Sequence, residues 1–383
     1  MAVHFSVEEL AARRAKACAA MQDQGLDGML MFLQESMYWL TGYDTFGFCF
    51  FQAFYLGADG KFFLLTRAPD LRQAQHTSVI EDIQIWVDKE GAQPALQLRD
   101  LLDSYGAKGK TLGVEYEAAG LTAHRGKQVE AALDGFCTLV PANDLISQQR
   151  IVKGPAGLDC IRGAGELADD AHDAAVAVTA AGVDEGLILS RMQGAVFEGG
   201  GDYAGNEFII GSDRDALLCR YKSGRRALSP NDQLTLEWAG SYRRYHAAMM
   251  NTFIIGQPQP EHLHMYEAGK AALLECEATL KPGNTMGDVF QAHATVLDSY
   301  GLREHRLNAC GYGMSARFTP CWMDYPMFYA DNPVVLASNM AFFIHIIIVN
   351  SDKGLAMCLG RSSILDETGS KTVSRSPLDM VRL

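Results

Sequence analysis

Apolar and polar positions change their spacing along the chain, and those changes divide it into elements. Ser6-Val7-Glu8-Glu9 has the Ser-x-x-Glu spacing of a reciprocal helix cap, and one amphipathic helix is expected from there to Gly25, a plausible stop. Short apolar runs at 28–33, 48–55 and 62–65 read as strands, and Gly57-Ala58-Asp59-Gly60 between the last two is a hairpin signal. Strands at 79–87, 111–116 and 137–140 alternate with helices near 94–105 and 121–133. That alternation predicts an α/β domain of about 150 residues.

Gly154-Pro155 interrupts the pattern, since both residues end regular structure, and the domain boundary is placed there, giving 1–152 and 153–383. The second part predicts helices at 158–181, 185–198, 260–279 and 286–299, with strands at 207–211, 233–239, 244–255, 340–350 and 355–365. Helices grouped against a mostly antiparallel sheet make this an α+β plan.

Composition narrows the possibilities. A chain of 383 residues with 48% hydrophobic and 21% charged side chains can bury two cores and is not disordered. Its 33 basic against 46 acidic residues leave a net charge of −13, which argues against neutralising nucleic-acid phosphates. Nine cysteines without CxxC spacing suggest neither a disulfide framework nor a zinc ribbon, and reduced thiols in a cytoplasm are expected. The first residues lack the pattern of a secretory signal, and the apolar run 340–349, interrupted by His345, is too short for a membrane span, so no membrane partner is expected.

The candidate chemistry lies where polar residues interrupt apolar strands. Period two puts Thr235, Glu237 and Ala239 on one face of 233–239, and His246, Ala248 and Met250 together on the next strand. Burying the Glu237 carboxyl would raise its pKa unless a cation such as Arg220, Arg243 or Arg244 offsets this. His345 stands alone in Ala341-Phe342-Phe343-Ile344-His345-Ile346-Ile347-Ile348; a satisfied core histidine is the competing reading. With Gly311-Tyr312-Gly313 and Trp322-Met323-Asp324-Tyr325-Pro326 in the same domain, carboxylate, imidazole and phenol could together supply acid–base chemistry.

In this order the segments resemble the creatinase, prolidase and methionine aminopeptidase superfamily, whose C-terminal domain has the pita-bread fold. Leu236-Glu237-Trp238-Ala239-Gly240 through Asn251-Thr252-Phe253-Ile254-Ile255-Gly256 is similar to its D-x-G…GY-x-S-D-x-x-R-T-F-x-x-G block. Lys281-Pro282-Gly283-Asn284-Thr285 matches its K-P-G-x-T turn, Gly311-Tyr312-Gly313 stands where it has G-H-G, and Tyr38-Trp39-Leu40-Thr41-Gly42-Tyr43 resembles its Y-L-T-G-Y segment. The resemblance implies an α+β chain, with an N-terminal creatinase-like α/β domain and helices on a curved antiparallel sheet in the C-terminal domain.

The family's five metal-ligand positions, Asp, Asp, His, Glu and Glu, fall here on Glu237, Ala248, Tyr312, His345 and Gly360. Two of these have no ligand atom, so no metal and no other cofactor is expected. The resemblance then points to the metal-free branch, of creatinase and ectoine hydrolase type, which cuts C–N bonds of small zwitterions, by hydrolysis or elimination. By that resemblance Glu237 acts as base on water, or as nucleophile, and His345 or His246 supplies a proton to the leaving nitrogen. Tyr312 stabilises developing charge, and Arg220, at the place of a family histidine, holds a carboxylate, with Tyr245, Trp322 and Asp324 beside the substrate. A homodimer is implied in which Trp39, Tyr43, Asp44, Phe46 and Phe48, with Arg67 nearby, line the other chain's site, an ordinary hydrophobic core being the competing reading for the Phe residues. The alternatives are a Xaa-Pro dipeptidase with one weak metal and a catalytically inactive binding module on the same fold.

Overall fold

The computed structural model describes residues 3–220 and 226–383. The chain divides into two compact units, Met1–Arg150 and Ile151–Leu383, two residues ahead of the expected division. The first contains α1 (Val7–Asp23), β1 (Gly28–Met31), α2 (Gln34–Thr41), β2 (Ala53–Gly57), β3 (Phe62–Arg67), α3 (Leu71–Thr77), β4 (Ile83–Trp86), α4 (Pro94–Ser104), β5 (Thr111–Val114), α5 (Ala123–Leu133), β6 (Thr138–Pro141) and α6 (Asp144–Arg150). Its six strands run in the order β4-β3-β2-β1-β5-β6, with β1 antiparallel to β2 and parallel to β5.

Local chemistry explains much of this unit. The Ser6 hydroxyl accepts the Glu9 amide at 3.1 Å, and Gly25 has a left-handed φ of 68° just beyond α1. The Glu9 carboxylate pairs with Arg13 rather than completing the reciprocal cap. The expected strand 48–55 begins only at Ala53, because Gly47–Cys49 forms a 3-10 turn. Every residue of α2 is buried, so it shows no amphipathic period that would mark a helix.

The second unit contains α7 (Pro155–Val178), α8 (Glu185–Glu198), β7 (Ile209–Ser212), β8 (Asp232–Tyr242), β9 (Tyr245–Ile255), α9 (Pro260–Thr279), α10 (Met286–Ser299), β10 (Ala309–Gly313), β11 (Asp324–Tyr329), β12 (Ala341–Asn350), β13 (Leu355–Asp366) and β14 (Gly369–Thr372). Pro155 starts α7 at the position where a missing amide costs nothing. The strands run β11-β10-β12-β13-β9-β8-β7, with β14 beside β13 and antiparallel pairing throughout. β10 and β11 carry Gly311, Gly313 and Pro326, which hide a strand from a propensity reading.

Helices cover one face of this sheet. Trp238 donates its indole N–H to the Ala168 carbonyl of α7 at 2.8 Å, and a methyl group on Gly240 would overlap the Ala164 carbonyl oxygen. Phe342, Ile344, Ile346 and Ile348 share a buried cluster with α9 and α10, which turns His345 to the opposite face. No helix among the described residues is long and apolar enough to cross a membrane.

Candidate active site

Strand register assembles the face opposite the helices. Glu237 pairs with Met250, Met250 with Gly360 and Gly360 with His345, so these four stand in one row across β8, β9, β13 and β12. Tyr312 lies one strand further, on β10. In a flat sheet, four spacings would separate β8 from β10 by about 19 Å, beyond the combined reach of a Tyr and a Glu side chain. Yet the Tyr312 hydroxyl donates to Glu237 Oε1 at 3.3 Å, so the sheet curls around this face. The Trp322 indole N–H donates in turn to the Tyr312 oxygen at 2.8 Å. The rings of Tyr312, Phe343 and His345 stand 5.4 to 5.8 Å apart, centre to centre, as a cluster beside the carboxyl.

Burial sets the protonation states here. Desolvation pushes the Glu237 carboxyl up to about 7, opposed by the charge of Arg220 and by the Tyr312 hydroxyl. Tyr312 is pushed well above the ordinary phenol range, first by burial and then by the neighbouring carboxylate. Burial, with the charges of His293 and Arg220, depresses His345 to about 3, and its Nδ1 has no hydrogen-bond partner among the described residues. His246, depressed to about 3 by burial and by Arg317 and Arg244, accepts the Gly205 amide at Nε2, at 2.8 Å.

These facts correct several expectations. His345 and His246 carry no extra proton near neutral pH, because burial disfavours the imidazolium, so neither is poised as the cationic proton donor. Only Glu237 in the cluster is poised to exchange a proton near pH 7. Tyr245 faces away from the row: a methyl group on Gly157 of α7 would meet its ring and hydroxyl at 3.4 Å. Asp324 is buried, 3.7 Å from Arg317, so its charge faces a protein cation. Arg220 is solvent-exposed yet close enough to influence both Glu237 and His345.

Trp39 and Tyr43 belong to the core of the first unit. Tyr43 is fully buried, its hydroxyl 3.3 Å from both Gln52 and Thr66, and the Arg13 guanidinium lies over the Trp39 ring. Packing, rather than lining another chain's pocket, accounts for both. Phe46 and Phe50 are the exposed aromatics of that segment. Phe343 and Gly205 escaped the sequence reading. An apolar residue in an apolar strand and a loop glycine carry no chemical signal of their own.

The row does not fit a bridged pair of hard cations, which needs a set of carboxylate and imidazole donors. Met250 and Gly360 of the row, and Ala248 two residues along the same face of β9, offer no oxygen or nitrogen side-chain atom, and a methyl group on Gly360 would come within 2.9 Å of the Ile344 carbonyl and the Phe343 ring. Among the described residues no three His, Cys, Asp or Glu side chains are grouped to hold a metal ion.

Residues 159–365 match the model of metallopeptidase family M24, and residues 13–152 match that of the creatinase/prolidase N-terminal domain. The chain is 25% identical to the ectoine hydrolase of Halomonas elongata over 97% of both chains. Its fold is similar to that of dipeptidase PepE from Mycobacterium ulcerans, with a TM-score of 0.85 and 24% identity over 99% of both chains. It is also similar to the prolidase of Thermococcus sibiricus, with a TM-score of 0.87 and 17% identity over 97% of this chain and 98% of that one.

Proposed function

The chain belongs to metallopeptidase family M24, and from that membership we propose that it is a hydrolase of a C–N bond in a small zwitterionic compound, working without a bound metal. The observation that carries this reading is the single carboxyl of the row, Glu237, buried and with its pKa raised to about 7, where Met250 and Gly360 have no oxygen or nitrogen side-chain atom and His345 is the one other polar member. The similarity to an ectoine hydrolase over nearly the whole length supports the substrate class.

In this reading ionised Glu237 takes a proton from water as the oxygen attacks the carbon of the C–N bond. The same carboxyl then passes that proton to the departing nitrogen, a transfer suited to a group whose pKa lies near the working pH. Tyr312, with its own oxygen held by Trp322, turns its hydroxyl toward the charge developing on the attacked group. Arg220 holds a substrate carboxylate, and neutral His345 offers an uncharged hydrogen-bonding nitrogen. We extend the proposal to a cytoplasmic homodimer, which analytical ultracentrifugation of the full chain would test.

The test combines metal analysis of purified protein with turnover of ectoine, creatine, betaines and Xaa-Pro dipeptides, before and after chelation and with added Mn²⁺. Turnover of a zwitterion that survives chelation is expected. Stoichiometric bound metal with Mn²⁺-dependent dipeptide cleavage would replace this proposal with a metallopeptidase.

A further inference from the structure

We infer that His246 is a positioning residue of this site: it pins the backbone at Gly205, and so seats the Cys321–Trp322 segment whose indole holds Tyr312 against Glu237. His246 lies four residues along β9 from Met250, the partner of Glu237, which is about 13 Å of strand. That distance keeps it from acting directly at the carboxyl. What it touches instead is a loop. With Nε2 accepting the Gly205 amide, the ring proton must sit on Nδ1, and burial keeps the ring in that neutral, accepting form. Its backbone amide also donates to the Ser315 carbonyl at 3.3 Å, so one residue of β9 ties down segments from both sides.

Gly205 carries the effect onward. A methyl group there would stand 3.2 Å from the Cys321 carbonyl group and the Trp322 nitrogen, so the two backbones are close enough that a side chain at 205 would press on the Cys321–Trp322 peptide by a few tenths of an ångström. From Trp322 the contacts are direct: indole to phenol at 2.8 Å, then phenol to carboxylate at 3.3 Å. Arg317 steadies the same loop, donating from Nε to the Cys321 carbonyl at 3.3 Å. The sequence places His246 forty-one residues from Gly205 and seventy-six from Trp322, so only the tertiary structure connects them.

The inference rests on the proposed role of Glu237 only for its effect on turnover. The geometry is tested without substrate, through the indole ¹H–¹⁵N resonance of Trp322 in the full chain, assigned with Trp322→Phe. His246→Leu should move that resonance in the same direction as Tyr312→Phe and leave those of Trp39 and Trp86 in place. His246→Gln, whose amide oxygen occupies the place of Nε2, should restore it. Gly205→Ala, pressing on Trp322 from the loop side, should move it with His246 intact. An unmoved Trp322 resonance in folded His246→Leu, or an equal displacement in His246→Gln, overturns the inference. If His246→Leu does not fold, an unmoved resonance in Gly205→Ala does so. With a substrate in hand, His246→Leu should lower kcat about 10- to 100-fold with little change in KM, and His246→Gln should recover it. Absence of any turnover in the parent protein would count against the proposed function alone, because the resonances decide the positioning role separately.

Discussion

Replacing Glu237 by Gln should stabilise the C-terminal unit, and by an amount that grows with pH. Burial raises the folded-state pKa from an ordinary 4.5 to about 7, so the folded chain holds this proton more tightly than the unfolded one. Stability from this group is therefore complete below the unfolded pKa and is lost as pH rises through about 7. At about 1.36 kcal/mol per pKa unit, the raised pKa costs about 3 kcal/mol of stability at pH 9, where the folded carboxyl is ionised, and about 1 kcal/mol at pH 5, where the unfolded chain has mostly lost a proton that the folded chain keeps. Gln has the shape of the protonated acid and keeps an oxygen to accept the Tyr312 hydroxyl, so it escapes this cost at every pH. The buried Glu115 of the first unit, also raised to about 7 by burial, is common to both proteins and cancels. Because a chain of two units need not unfold in one step, urea titrations should be followed by fluorescence of Trp238 and Trp322 alone, with Trp39→Phe and Trp86→Phe in both proteins. An offset that does not change between pH 5 and pH 9, or a variant less stable than its parent at pH 9, would refute the assignment of Glu237 as a carboxyl held near neutrality by burial.

Three further outcomes follow from the same geometry. In a double-mutant cycle, Tyr312→Phe strands the buried Trp322 indole N–H at a cost of about 1–3 kcal/mol, and adding Trp322→Phe should recover part of it; strictly additive losses in urea unfolding would deny the hydrogen bond. Gly360→Ala should destabilise by about 1–3 kcal/mol, since its methyl group meets the Ile344 carbonyl and the Phe343 ring, and an unchanged melting midpoint would show that the row has room for a larger side chain. With Glu237 as base, kcat/KM for the turned-over zwitterion should rise with pH to a plateau with a midpoint near 7; a rate that falls through 7 would mean that the protonated carboxyl is the form required.

The helices of the C-terminal unit were legible because each buries one side, and the long strands because they are near-continuous apolar runs buried on both faces. The expected 185–198, 260–279 and 286–299 coincide with α8, α9 and α10, whose buried faces recur at helical spacing. Family membership was legible from short motifs whose glycines and turn residues are demanded by backbone geometry. Glu237 and His345 stood out because a polar group in an apolar strand must be explained, and Tyr312 because Gly311-Tyr312-Gly313 stands where the family has G-H-G. Sequence could not say which of these groups touch, nor which would hold a proton. Alternation assigns a face but not the curvature that closes about 19 Å of flat sheet into a 3.3 Å hydrogen bond. Nor could it tell that α7 takes up Tyr245, that the first unit's core takes up Trp39 and Tyr43, or that Gly205 occupies His246. Protonation depends on desolvation and on charges from distant segments, and those exist only once the chain has folded. The polar residues that call for explanation were set by the sequence; their assembly into one row, and its chemistry, were decided by the strand register, burial and curvature of the tertiary structure.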